Sequence, residues 1–210
     1  MCNMEKLDLA KTYKSYYTAP AKPQLVEFEP NWYVTIQGQG DPDGIAFSNA
    51  TEALYTLSYS IKGIYKKEEK DFTVAKLEGL WWVDGDRKAL DVPREEWHWK
   101  LLIRMPDYVR AESIEDARSI AMSKKKELTV ISDINYETLH EGACVQMLHV
   151  GPYAAEPESL KQIEHFLTEH RRKIRGLHHE IYLSDPRKVE PSKMKTILRY
   201  PVQSVEVVTG

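Results

Sequence analysis

Lys100-Leu101-Leu102-Ile103-Arg104-Met105-Pro106 matches Lys195-Thr196-Ile197-Leu198-Arg199-Tyr200-Pro201 without a gap. A self-match about a hundred residues apart is too long for a solenoid and implies two packed copies of one supersecondary unit. The correspondence extends upstream. Glu78-Gly79-Leu80-Trp81 falls opposite Glu180-Ile181-Tyr182-Leu183, and Ile36-Gln37-Gly38 opposite His149-Val150-Gly151. Each half reads strand, helix, strand, strand. The expected fold is α+β, with two pseudo-symmetric βαββ modules, antiparallel sheets and a ligand crevice between them. The modules are placed at 31–106 and 143–201, joined by a helical connector over 107–142, in one domain spanning 1–210.

Local patterning fills in the elements. A helix is expected from Asn49, with Glu52 as its capping-box partner, an apolar stripe through Ala50, Ala53, Leu54, Leu57 and Ile61, and Gly63 near its end. Ser113 and Asp116 resemble a second cap. Pro157 suits the first turn of a third helix, with Arg171, Arg172, Lys173 and Arg175 in its last turn before Gly176. Leu177 to Leu183 alternates like a strand and ends in the Ser184-Asp185-Pro186 turn, so His178, Glu180 and Tyr182 share one face and His179, Ile181 and Leu183 the other.

Composition narrows the function classes. A net charge of -3 and a pI near 6.2 argue against general affinity for nucleic acid or an anionic membrane, and the Lys124-Lys125-Lys126 run reads as a helix end. No apolar run approaches a membrane span, and Met1 to Lys6 lacks a signal-peptide core. Two cysteines, Cys2 at the terminus and Cys144 within an apolar strand, form no framework and fit a reducing cytoplasm. Four of the five tryptophans lie between Trp81 and Trp99, which makes that segment either a heavy core or a ligand wall.

The run His149-Val150-Gly151-Pro152-Tyr153, then His178 to Pro186, then Lys195 to Pro201, resembles the GyrI-like small-molecule-binding family. The resemblance covers nearly the whole chain from about Val26, and Glu180-Ile181-Tyr182-Leu183-Ser184-Asp185-Pro186 is its most specific part. It implies that Glu180 sits in a central pocket. Some members are fused to DNA-binding modules, but no helix-turn-helix is recognisable upstream of Trp32. The chain is similar to the stand-alone branch, which includes enzymes that hydrolyse the cyclopropane of cyclopropanoid DNA-alkylating toxins.

A ring-lined crevice with carboxylates suits flat hydrophobic ligands, aromatic or cationic. Hydrolysis further needs a proton donor and a placed water. Glu180 is the expected acid/base and Glu78 its partner. Tyr182, Trp82, Trp97, Trp99, Tyr153 and His178 are the expected ligand-binding residues, with a plain core role open for Trp97 and Trp99, which share a face with Leu101 and Ile103. No metal or other cofactor is expected: His178 and His179 point to opposite faces, and no third ligand has helpful spacing. Cys144 and His149 lie across faces of one strand, so no Cys-His nucleophile is expected. Three classes therefore stand: a hydrolase of strained toxins, a non-catalytic drug-sequestering binder, and a module that inhibits a protein partner. The sequence sets no oligomeric state.

Overall fold

The computed structural model describes residues 6–205; the expectation placed on Cys2 lies outside them. In chain order the first elements are β1 (Leu7–Asp8), α1 (Leu9–Thr12), α2 (Lys14–Tyr17), β2 (Gln24–Phe28), β3 (Asn31–Gln39) and α3 (Ile45–Lys67). Next come β4 (Phe72–Thr73), β5 (Leu77–Trp82), β6 (His98–Arg104), α4 (Glu112–Lys124) and β7 (Asn135–Leu139). The chain closes with β8 (Gly142–Val150), α5 (Glu156–Glu169), β9 (Arg172–Ile174), β10 (His178–Tyr182) and β11 (Lys195–Ser204). The fold is α+β, and no described helix is long and apolar enough to cross a membrane.

The chain divides into two compact units, the first made of residues 1–14 and 31–139, the second of 15–30 and 140–210. In the first, antiparallel strands run in the order β7, β3, β6, β5. The predicted connector is thus partly structural: α4 packs in the first unit's core and β7 pairs with β3. Helix α3 covers one face of this sheet. Its buried Ala50, Ala53, Leu54, Leu57, Ile61 and Tyr65 recur at helical spacing and meet Val34, Ile36, Trp99, Leu101 and Ile103. The helix starts four residues before Asn49, behind an extended Gly44, so Asn49 and Glu52 lie inside it. Gly63 does not stop it, because burial of the stripe on both sides outweighs the roughly 1 kcal/mol cost of an interior glycine. Ser113 likewise falls inside α4, whose first residue is Glu112.

In the second unit the antiparallel order is β2, β8, β11, β10, with β9 also pairing with β11. Helix α5 buries Ile163 and Leu167 against Val145, Met147, Leu198 and Val202. It ends at Glu169, earlier than its basic tail suggested: Arg171 adopts a positive φ and Arg172 to Ile174 form β9. The opposite face carries a buried polar network. Arg199 donates to Glu141 Oε2 at 3.1 Å, to Gln146 Oε1 at 2.9 and 3.1 Å and to the Tyr16 carbonyl at 2.8 Å, and it stacks on the Tyr16 and Phe28 rings. His179 meets the other Glu141 oxygen at 2.9 Å. Burial alone would raise the Glu141 carboxyl, but His179 and Arg199 outweigh it and hold the group down at about 2.

Register tests the internal repeat. Ile36 pairs with Leu101, and His149 with Thr196, the second residue of each gapless run, so this part of the alignment is structural. Arg104 and Arg199 are both buried and each lies over a tyrosine ring, Tyr13 and Tyr16 respectively. The strand between fails by one step. Glu78 pairs with Leu102, third in its run, whereas Glu180 pairs with Leu198, fourth in its run. A one-residue offset reverses the face of every side chain. Glu180 therefore shares the α5 side with Leu198 and Met147, while Glu78 points away from α3. The expected equivalence of the two carboxylates does not hold.

Candidate active site

On the α5 side of the second unit, the register aligns Tyr182 with Thr196 and His149, and Glu180 with Leu198 and Met147. His178 lies two residues before Glu180 on the same face and packs its ring on Tyr200, centroids 4.8 Å apart. Tyr153, in the turn before α5, meets Tyr182 edge-on at 6.0 Å. These four rings surround a charged centre. His178 Nε2 lies 3.0 Å from Glu180 Oε1.

Sequence reasoning missed two residues of this cluster, Tyr200 and, at its centre, Glu156, the first residue of α5. Its carboxyl faces that of Glu180 across the site. Glu156, His178 and Glu180 each offer a donor atom, all within 4.8 Å of one another. A third group with close spacing thus does exist beside His178, contrary to expectation, because α5 brings it from another element. The available signal was Pro157: a helix starting there puts the residue before it at the helix mouth.

Glu156 is only 8 % exposed. Burial first, then the neighbouring Glu180 charge, pushes its carboxyl up to about 9. Its place at a helix N-terminus works the other way, but that effect is typically 0.3–1 kcal/mol, less than one pH unit, and loses. The buried Glu156 carboxyl thus favours its protonated form well above the ordinary carboxylate range. The site also raises both flanking phenols, the more buried Tyr200 and the 43 % exposed Tyr153, each through desolvation first and then the Glu180 charge. A buried carboxylic acid beside a carboxylate, flanked by phenols, can hold and deliver a proton.

The other expected site residues belong to the first unit. Glu78 is fully buried on β5. Trp82 stacks on His98 at 5.3 Å, nearly parallel, and His98 Nε2 lies 3.1 Å from Asp84 Oδ2. Trp97 is half-buried, its indole N–H shared between the Ala89 and Val92 carbonyls at 3.1 and 3.2 Å. Trp99 lies in the α3 core, edge-on to Phe47 at 5.3 Å. The structure thus gathers Glu180, Tyr182, Tyr153 and His178 around Glu156 within the second unit.

The sequence profile of the GyrI-like small molecule binding domain matches residues 104–203, a span that contains this cluster. Three solved structures from Listeria innocua are similar over nearly the whole chain. An uncharacterized conserved protein is 37% identical, with 94% of this chain and 100% of the other covered and a TM-score of 0.89. A hydrolase is 36% identical, with 94% and 100% covered and a TM-score of 0.84. A hydrolase encoded by lin2189 is 35% identical, with 95% and 100% covered and a TM-score of 0.87. No curated protein matches. By profile and by full-length likeness, the chain belongs to the GyrI-like small-molecule-binding family.

Proposed function

We propose that this chain hydrolyses cyclopropanoid toxins, in which a strained cyclopropane is fused to a dienone, and that the Glu156–Glu180 pair supplies the proton. The observation that carries this reading is a buried carboxyl, Glu156, set against Glu180 and His178 beside ring-bearing side chains. Tyr153, Tyr182, Tyr200 and His178 offer flat or edge contacts to the aromatic body of such a ligand, and Glu180 adds affinity where the ligand is cationic.

In the reaction a water oxygen bonds to the methylene carbon of the cyclopropane. The strained C–C bond breaks, and its electron pair enters the ring, which becomes aromatic. The dienone oxygen becomes a phenol oxygen and takes the proton from Glu156. The attacking water loses its second proton to solvent, and the carboxylate pair recovers one. The acid is matched to this task. A carboxyl raised well above its ordinary range by burial and by the Glu180 charge favours the protonated form at neutral pH, and it can give that proton to a developing phenoxide. Glu180 is the anion that keeps the proton on Glu156 between turnovers, and His178 fixes its carboxylate.

The test is incubation of a cyclopropanoid compound in large excess over protein. Conversion of many equivalents to the ring-opened phenol is expected. Uptake of one equivalent with no product would make the protein a sequestering binder. A protein-partner role predicts capture of that partner from lysate without added ligand and no effect on the compound.

A further inference from the structure

Tyr153 and Glu156 both lie in the short segment between β8 and the second turn of α5, and one buried side chain grips that segment at both ends. His149, at the end of β8, is 4 % exposed. Its Nε2 lies 3.2 Å from the Pro152 carbonyl, and its Nδ1 lies 2.9 Å from Ser159 Oγ. A carbonyl can only accept, so Nε2 carries the hydrogen. In the neutral ring Nδ1 is then the acceptor, and the Ser159 hydroxyl donates to it. Ser159 is itself buried, on the sheet-facing side of α5 one turn beyond Glu156.

The turn beneath the ring takes a backbone conformation that favours glycine. Gly151 has a φ of +143, and a Cβ placed there would lie 3.4 Å from His149 Nε2. The Gly151 amide is bonded to the Met194 carbonyl at 3.0 Å, so the turn is anchored to the start of β11 as well. The Pro152 carbonyl also accepts from the Ala155 amide at 2.9 Å, which closes the turn that carries Tyr153. His149 touches neither Glu156 nor Glu180 through any of these bonds.

We infer that His149 is a positioning residue of the candidate site: by clipping Pro152 to Ser159 it sets where the first turn of α5 places Glu156 against Glu180. This rests on the proposed role of the carboxylate pair, but it concerns geometry that exists whatever the pair does chemically. The groups facing Glu156 are Glu180 and His178 from β10, with Tyr200 from β11 and Tyr153 from the turn acting on the same site. Of these, Glu180, His178 and Tyr200 lie on β10 and β11, outside the turn that His149 grips. The distance from Glu156 to Glu180 and the dryness of that contact are what the clip controls. If the turn loosens, water enters and the two carboxyls separate, and both changes let Glu156 ionise at lower pH.

The measurement is a carbon-13 NMR titration of the glutamate side-chain carboxyls, made without any ligand on the wild type, His149→Phe, Ser159→Ala and His149→Gln, with a thermal melt of each. The Glu156 midpoint should fall by about one pH unit or more in His149→Phe, which loses both bonds, and by less in Ser159→Ala, which loses one. His149→Gln, whose amide can still donate to the Pro152 carbonyl, should lie between them and the wild type. Lower melting temperatures with an unmoved Glu156 midpoint would overturn the inference and leave His149 a structural tie. Should His149→Phe fail to fold, Ser159→Ala decides on the same criterion. A shifted midpoint in a protein that does not turn over the cyclopropanoid compound would keep the clip and remove the hydrolase reading.

Discussion

The two units follow the same strand-helix-strand-strand path but use their helix-covered faces differently. In the first, α3 is 23 residues long and seals that face with apolar and aromatic side chains, including Trp99 over Gly38. In the second, α5 has 14 residues, and its first turn meets the sheet through Glu156, Glu180 and His178 instead. A shift of one residue in the middle strand makes the difference: β5 turns its carboxylate away from its helix, and β10 turns its carboxylate toward its helix. A duplicated scaffold can thus keep one copy as packing and place polar chemistry in the other without changing element order. The reverse faces did not diverge in this way, since Arg104 and Arg199 remain buried and stacked on tyrosine in both.

The largest effect should come from breaking what the units still share. Arg199→Leu removes the partner of a buried Glu141 and leaves the Gln146 and Tyr16 acceptors unmet, which should destabilise the protein by about 3–5 kcal/mol in a denaturant melt. Acid behaviour checks the same network. The Glu141 carboxyl is lowered from 4.5 to about 2, so its contribution is fully present above pH 4.5 and is lost as pH falls toward 2. With Arg199 gone, acid unfolding should begin at higher pH. An unchanged acid midpoint would mean that His179 alone holds the charge.

The second contrast sets the carboxylates against each other. Glu180→Gln and Glu156→Gln should each reduce turnover by roughly a hundred-fold or more, with much of the affinity for a flat neutral ligand retained. Binding of a cationic ligand should also weaken in Glu180→Gln, because the counter-charge is gone. Glu78→Gln should change the melting temperature and leave kcat alone. Equal losses of kcat at Glu78 and Glu180 would restore the pairing of these two residues and remove Glu156 from its role. A pH series adds an independent sign. Glu156 binds its proton more tightly in the folded state, so its contribution to stability falls as pH rises from 4.5 to about 9. Glu156→Gln should flatten that part of the stability profile.

What could be read from the residues follows the strength of the local signals. The repeat was legible because Lys100 to Pro106 and Lys195 to Pro201 keep register over seven positions, and the β-strand period then fixed which side chains share a face. His178, Glu180 and Tyr182 do lie together for that reason. The Glu78 alignment was four residues long with one identity, too little to fix a register that a single step reverses. Glu156 was illegible because its environment is tertiary: a glutamate at a helix start is ordinarily a solvated, dipole-favoured residue, and only the fold of β10 against α5 makes it a buried acid. Helix ends were misplaced for a related reason. Gly44, Gly63 and the basic residues after Glu169 carry weak local preferences that packing and the β9–β11 pairing override.

The smallest and most selective contrast uses two glycines at matching places, Gly38 on β3 and Gly151 just beyond β8. Gly38 pairs with Trp99 on β6, and the indole lies across it, as aromatic rings cover glycines in sheets. An added Cβ would lie 2.2 Å from Trp99 Cη2, and the ring has little room to retreat because Phe47 packs against it. Gly38→Ala should therefore cost about 1–3 kcal/mol by overpacking and leave the Glu156 midpoint where it is, because the strain is absorbed in the first unit's core. Gly151→Ala meets only an ordinary contact with His149, but it forces an L-residue to a φ of +143, at a cost of about 1–3 kcal/mol. The chain can relieve that strain by reopening the turn, and the turn carries the His149 clip. Gly151→Ala should thus lower the Glu156 midpoint and the melting temperature together, whereas Gly38→Ala lowers the melting temperature alone. If both substitutions leave the midpoint unmoved, the second unit's turn is as inert as the first unit's core, and the divergence between the copies stops at the carboxylates themselves.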